Sequence, residues 1–138
     1  MNKQDVPTTF GIFKPVGHTL IAFHTALELE SATTNLMSLG FSKDSMVRYS
    51  DTQMLAQVCA ELENVSPMAN FGYELDLVRK HKVLAEQGCC FLVVKADSQA
   101  LEKLVSDLVR SIKPVSAQQY GDFMIEDLTE KPPGRMQN

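Results

Sequence analysis

The chain has 138 residues, 44% of them apolar and 22% charged, with a formal net charge of −4. That length supports a single domain with a real core, and the acidic balance argues against a nucleic-acid footprint. No stretch approaches the roughly 20 consecutive apolar residues of a membrane helix, and Met1–Asp5 lacks the basic start and apolar run of a signal peptide.

Residues 1–9 are polar and are expected to be loose; Phe10–Phe13 reads as a short strand or apolar plug, and Pro15 and Gly17 break the chain after it. His18 to His24 is the first strong strand. Leu20 and Ala22 fall on one face and Ile21 and Phe23 on the other, the pattern of a strand covered on both sides. Thr25-Ala26-Leu27-Glu28 is a capping box, in which the threonine hydroxyl accepts from a backbone N–H three residues on and the glutamate reaches back. Leu29, Ala32, Leu36 and Met37 form the stripe of the helix it opens, Gly40 caps its C-terminus, and Met46–Tyr49 is a short strand.

Asp51 or Thr52 can cap a second helix, with Met54, Leu55, Val58, Cys59 and Leu62 on one face. Asn64–Pro67 ends it, and Phe71–Gln87 is a third helix with Leu75, Val78, Leu84 and Ala85 on a broad face, closed by Gly88. Cys89–Ala96 is a second strand apolar on both faces. Asp97 or Ser98 caps a helix to Ile112, Pro114 stops it, and Val115–Tyr120 returns as a strand that can continue through Phe123–Ile125.

His18–Asp51 and Cys89–Asp122 thus say nearly the same thing twice: strand, helix, strand, closing on Tyr49-Ser50-Asp51 and Tyr120-Gly121-Asp122. The strands superpose at an offset of 71, while the helices superpose at 72, where Leu29, Ala32, Thr33, Leu36 and Met37 fall on Leu101, Leu104, Val105, Leu108 and Val109. The pattern predicts an α+β, ferredoxin-like fold: a duplicated β-α-β frame making an antiparallel sheet of order 4-1-3-2, with a two-helix insertion between the repeats. The two central strands are expected side by side and parallel. Two helices cover one sheet face, leaving the other to the insertion, a second subunit, or both. The expected organisation is one domain over residues 1–128, with the helical insertion at 51–88 and a flexible tail at 129–138.

The segment Glu30–Val47, with its helix, Gly40-Phe41 pair, Asp44 and following strand, resembles the corresponding unit of general stress protein 17M-like domains. Leu84-Ala85-Glu86-Gln87-Gly88, leading into Phe91-Leu92-Val93-Val94, is similar to the same family. The resemblance implies a small, non-enzymatic, stress-associated protein and supplies no catalytic residues. That family often carries a glycine-rich helical insert, whereas this one is amphipathic with only Gly72 and Gly88.

Three constellations have chemical potential. Cys89-Cys90 lacks the spacing of a zinc site; with His18 at the same sheet end it would make a Cys–His nucleophile, although small buried cysteines are the common outcome. An odd total of three cysteines is a poor disulfide framework and suits reduced thiols and a cytoplasmic location. The third helix carries Tyr73, Glu74, Arg79 and His81, the densest group of capable side chains, against the simpler reading of a packed helix with one solvated face. The paired Tyr49–Asp51 and Tyr120–Asp122 could line a symmetric cleft. No phosphate loop, nucleophile elbow, metal set or cofactor motif is present in the sequence. The reading that follows is a non-catalytic interaction or regulatory module acting as a homodimer. The alternative is a small-ligand-binding protein or small enzyme whose pocket lies between the sheet and the inserted helices, lined by Tyr73, Glu74, Arg79 and His81.

Overall fold

A computed structural model describes residue 3 and residues 8–9, 12–13, 15–64, 73–121 and 124–129. Two short strands, β1 (Thr8–Thr9) and β2 (Ile12–Phe13), pair antiparallel. The main sheet contains β3 (His18–Phe23), β4 (Met46–Tyr49), β5 (Cys90–Lys95), β6 (Ser116–Tyr120) and β7 (Ile125–Asp127) in the order β4-β5-β3-β6-β7. Four helices join them: α1 (Ala26–Ser38), α2 (Asp51–Asn64), α3 (Tyr73–Glu86) and α4 (Gln99–Ile112). The class is α+β and the sheet is open and wholly antiparallel.

Two expectations about the sheet are corrected. Among the described residues the sheet has five strands, because Met124 and Ile125 do not prolong β6. Gly121 N–H donates to Met124 C=O, and β7 pairs antiparallel beside β6 and extends the sheet, so the full order is not the four-strand 4-1-3-2. The central strands β3 and β5 are antiparallel, pairing His18 with Lys95 and Phe23 with Cys90. The cause is the chain path: β5 pairs antiparallel with β4 after the α2–α3 excursion, and it lies between β4 and β3, antiparallel to both.

The sequence grammar at the helix ends is realised in bonds. Thr25 and Glu28 form the reciprocal capping box. Helix α1 closes with Gly40 at φ 105°. Phe41 N–H donates to Leu36 C=O and Gly40 N–H to Met37 C=O, the paired bonds of a Schellman end. Helix α3 ends the same way, with Gly88 at φ 94° and Cys89 N–H on Leu84 C=O. The start of α2 is capped by Ser50 rather than Asp51 or Thr52. The Ser50 hydroxyl accepts from Gln53 N–H at 3.1 Å, and the Gln53 side chain accepts from Ser50 N–H at 2.9 Å. Ser98 caps α4.

Alternation along the strands sorts the core into two layers. Ile21, Phe23, Leu92, Val94 and Ala117 face α1 and α4, and pack with Leu29, Leu36, Val105 and Val109. Leu20, Ala22, Val47, Phe91 and Val93 face the inserted α2 and α3, and pack with Met54, Val58, Leu77, Val78 and Leu84. The second sheet face, whose apolar character suggested a dimer, is therefore covered by the chain's own helices. Met37, expected in the α1 stripe, is exposed, although Val109, which the sequence pattern aligns with it, is buried.

Candidate functional site

The covered second face carries polar groups as well as apolar ones. On β6, Ser116, Gln118 and Tyr120 project to the side of the inserted helices, and all three are buried. Helix α3 lays His81 over them. Its imidazole is 2% exposed, its Nε2 lies 3.2 Å from Gln118 Oε1, and it meets Phe91 edge-on at 5.9 Å between centroids. Burial, reinforced by the neighbouring Lys80 charge and opposed only by the Gln118 bond, lowers the His81 pKa to about 4. The ring is neutral at physiological pH. Among the described residues Gln118 Nε2 and Ser116 Oγ have no hydrogen-bond partner.

Helix α2 adds Glu61 from its buried side, with Oε2 accepting from Gln57 Nε2 at 3.0 Å. Tyr49 is 2% exposed, and burial with the Glu61 charge pushes its hydroxyl up to about 12. A proton leaves such a phenol with difficulty, so Tyr49 is a neutral donor near neutral pH.

Of the sequence-based set, the structure places Arg79 and His81, on different sides of α3. His81 is in the polar layer, but Arg79 lies on the exposed side of α3, 3.8 Å from Asp76. Tyr73 and Glu74 belong to α3, but their side chains lie outside the described residues. The Cys–His pair is excluded by the antiparallel register: His18 pairs with Lys95, five residues along the ladder from the Phe23–Cys90 pair, about 17 Å at ~3.3 Å per residue. Its Nδ1 contacts Val16 C=O at 2.9 Å instead. All three cysteines are free, and burial raises the pKa of both Cys89 and Cys90, which disfavours a nucleophilic thiolate. Tyr49 and Tyr120 share a sheet face but stand on strands separated by β5 and β3, and Asp122 lies outside the described residues. Among the described residues no group of three or more His, Cys, Asp or Glu side chains is placed to hold a metal, and no helix is long and apolar enough to cross a membrane.

Sequence reasoning missed Ser116, Gln118 and Glu61. The signal existed for β6: Ser-Ala-Gln-Gln-Tyr is a polar composition for a strand buried at all five positions. On the opposite face Gln119 shows the satisfied version of the same situation, accepting from Thr19 Oγ1 and donating to Ala96 C=O at 3.0 Å.

A concavity lies on the α1/α4 side. A groove of about 310 Å³ runs between α4 and the β6–β7 edge, lined by Gln99, Glu102, Lys103, Ser106, Arg110, Gln119, Glu126 and Leu128. Lys103 and Arg110 both bind Asp107, at 3.2 and 2.9 Å. Lys103, hydrogen-bonded and charged, heads the causes that hold the Asp107 carboxyl below its ordinary range.

Compared with known proteins, the chain matches no family model, no curated protein and no solved structure.

Proposed function

We propose that this protein is a non-catalytic interaction module on a duplicated, ferredoxin-like β-α-β frame, with α2 and α3 serving as its second covering layer. Two α/β crossovers, β3–α1–β4 and β5–α4–β6, support the duplicated frame, and β7 is an addition at its edge. The observation that carries the functional reading is the state of His81. The chain's best candidate base is enclosed by Gln118 and Phe91, and burial holds its pKa near 4. A general base works best with a pKa near the operating pH, and Arg79, the cationic member of the expected set, points away. A stress-associated role rests on the sequence resemblance to general stress protein 17M-like domains alone. In a homodimer the contact would fall on a helix surface or a sheet edge, since both sheet faces are occupied.

A metabolite thermal-shift screen on wild type and His81→Gln tests the reading. The expected result is no metabolite whose stabilisation depends on His81. A compound that raises the wild-type melting temperature and loses its effect in His81→Gln would establish the alternative, a ligand site beneath the inserted helices. Sedimentation velocity at micromolar concentration tests the dimer, and a stable monomer rules it out.

A further inference from the structure

We propose that the groove between α4 and β7 receives an extended, cationic peptide segment of a partner protein, aligned along the outer edge of β7. This rests on the reading of the chain as an interaction module and names the chemistry of what it binds.

The strand edge supplies the first half of the argument. In the β6–β7 ladder, Met124 C=O accepts from Gly121, Glu126 is opposite Gln119, and Leu128 N–H donates to Ala117 C=O at 2.9 Å. Alternation in an antiparallel ladder then turns the backbone N–H and C=O of Ile125 and Asp127 away from β6. Among the described residues no strand pairs with that side of β7. Such an edge is a template for an added strand, which gains affinity from main-chain bonds and specificity from alternate side chains.

Charge supplies the second half. The groove holds two basic and two acidic side chains, but they are not equally available. Lys103 and Arg110 are shared by Asp107, and Arg110 also donates to Ser106 Oγ at 3.2 Å. The carboxylates of Glu102 and Glu126 make no ion pair or hydrogen bond among the described residues. Asp107 offsets only one of the two positive charges, and with Glu102 and Glu126 the charged groups at the groove sum to −1. Glu126 stands on β7 itself, on the same sheet face as Gln119. A strand laid beside β7 can reach back over it with lysine or arginine, whose long stems also cover the apolar Leu128 on the groove wall. An acidic segment would meet repulsion at both carboxylates.

Fluorescence anisotropy with the full-length protein and labelled eight-residue peptides tests this. The probe alternates lysine and valine; one control alternates glutamate and valine, and a second replaces the valines by proline, which removes backbone donors. The lysine–valine peptide is expected to bind saturably and both controls at least about tenfold more weakly, because charge reversal removes an attraction and adds a repulsion, each about a few-fold at an exposed site. Glu126→Lys should weaken the lysine–valine peptide by a similar factor. Asp44→Lys makes the same charge change beside β4, at the opposite edge of the sheet, and should leave binding within about twofold. In amide NMR spectra the largest shifts should fall at Ile125 and Asp127. No binding, equal binding of the acidic peptide, equal loss in Asp44→Lys, or shifts centred elsewhere each overturn the proposal. None of these touches the non-catalytic reading, which stands or falls on the His81-dependent screen.

Discussion

Acidification should weaken this protein through His81, and the size of the effect follows from its surroundings. In the unfolded chain the imidazole titrates near 6.5, whereas under α3 its pKa is about 4. The group is depressed in the fold, so between those values the unfolded state binds a proton that the folded state does not. Stability is fully present above pH 6.5 and falls as the pH drops toward 4. A gap of roughly 2.5 units at 1.36 kcal/mol each limits the loss to about 3 kcal/mol, of which about 2 kcal/mol is gone by pH 5. That is a large share of a typical 5–15 kcal/mol of stability. Urea unfolding of wild type and His81→Gln at pH 7.5, 6.5, 5.5 and 5.0 isolates the term, since the carboxylates are common to both proteins. The variant should start about 1–3 kcal/mol less stable at pH 7.5 if the amide fails to replace the bond to Gln118. Its stability should then decline with pH by about 2 kcal/mol less than wild type. If the two curves run parallel from pH 7.5 to 5.0, His81 is not the buried neutral group described.

Two further outcomes follow from the helix ends and the thiols. Gly88→Ala keeps open space around its new Cβ but forces φ 94° on a residue with a side chain, so it should lower stability by roughly 1–2 kcal/mol with unchanged circular dichroism. Reductant should leave the melting temperature unchanged because all three cysteines are free, whereas loss of a native disulfide typically costs roughly 2–5 kcal/mol.

Where local chemistry decides the outcome, the sequence was readable. Thr25 and Glu28, Gly40 and Gly88 act through bonds within a few residues, and both alternating faces of β3 and β5 were visible because burial on two sides leaves no polar period. Long-range geometry was not readable. Strand direction depends on how the α2–α3 excursion returns the chain, and no residue in β3 or β5 encodes that. The error moved His18 to the wrong end of the sheet and created a Cys–His pair that the register forbids. Within the candidate set, Arg79 and His81 are separated for a related reason. Tyr73, Glu74, Arg79 and His81 are close in sequence, but a helix distributes successive residues around its axis, so Arg79 is exposed while His81 is enclosed two positions later.

The partner that gives His81 its character, Gln118, is 37 residues away on a strand whose polar composition reads as solvent-facing. Its burial follows from the insertion. Leu77, Val78, Leu84 and Ala85 press α3 onto the same face as Leu20, Phe91 and Val93, and Ser116 and Gln118 share that face because strand alternation gives them no other direction. Each polar group enclosed there needs a partner or costs roughly 1–3 kcal/mol. Part of that demand from Gln118 is met from α3, where His81 is placed to supply the bond. The bond therefore ties α3 to β6 across the covered sheet face. On this account His81, which the sequence offers as one member of a ligand-site set, is a polar clasp between layers, and the surfaces left for recognition are the outer helix faces and the edges of β4 and β7 that no described strand pairs.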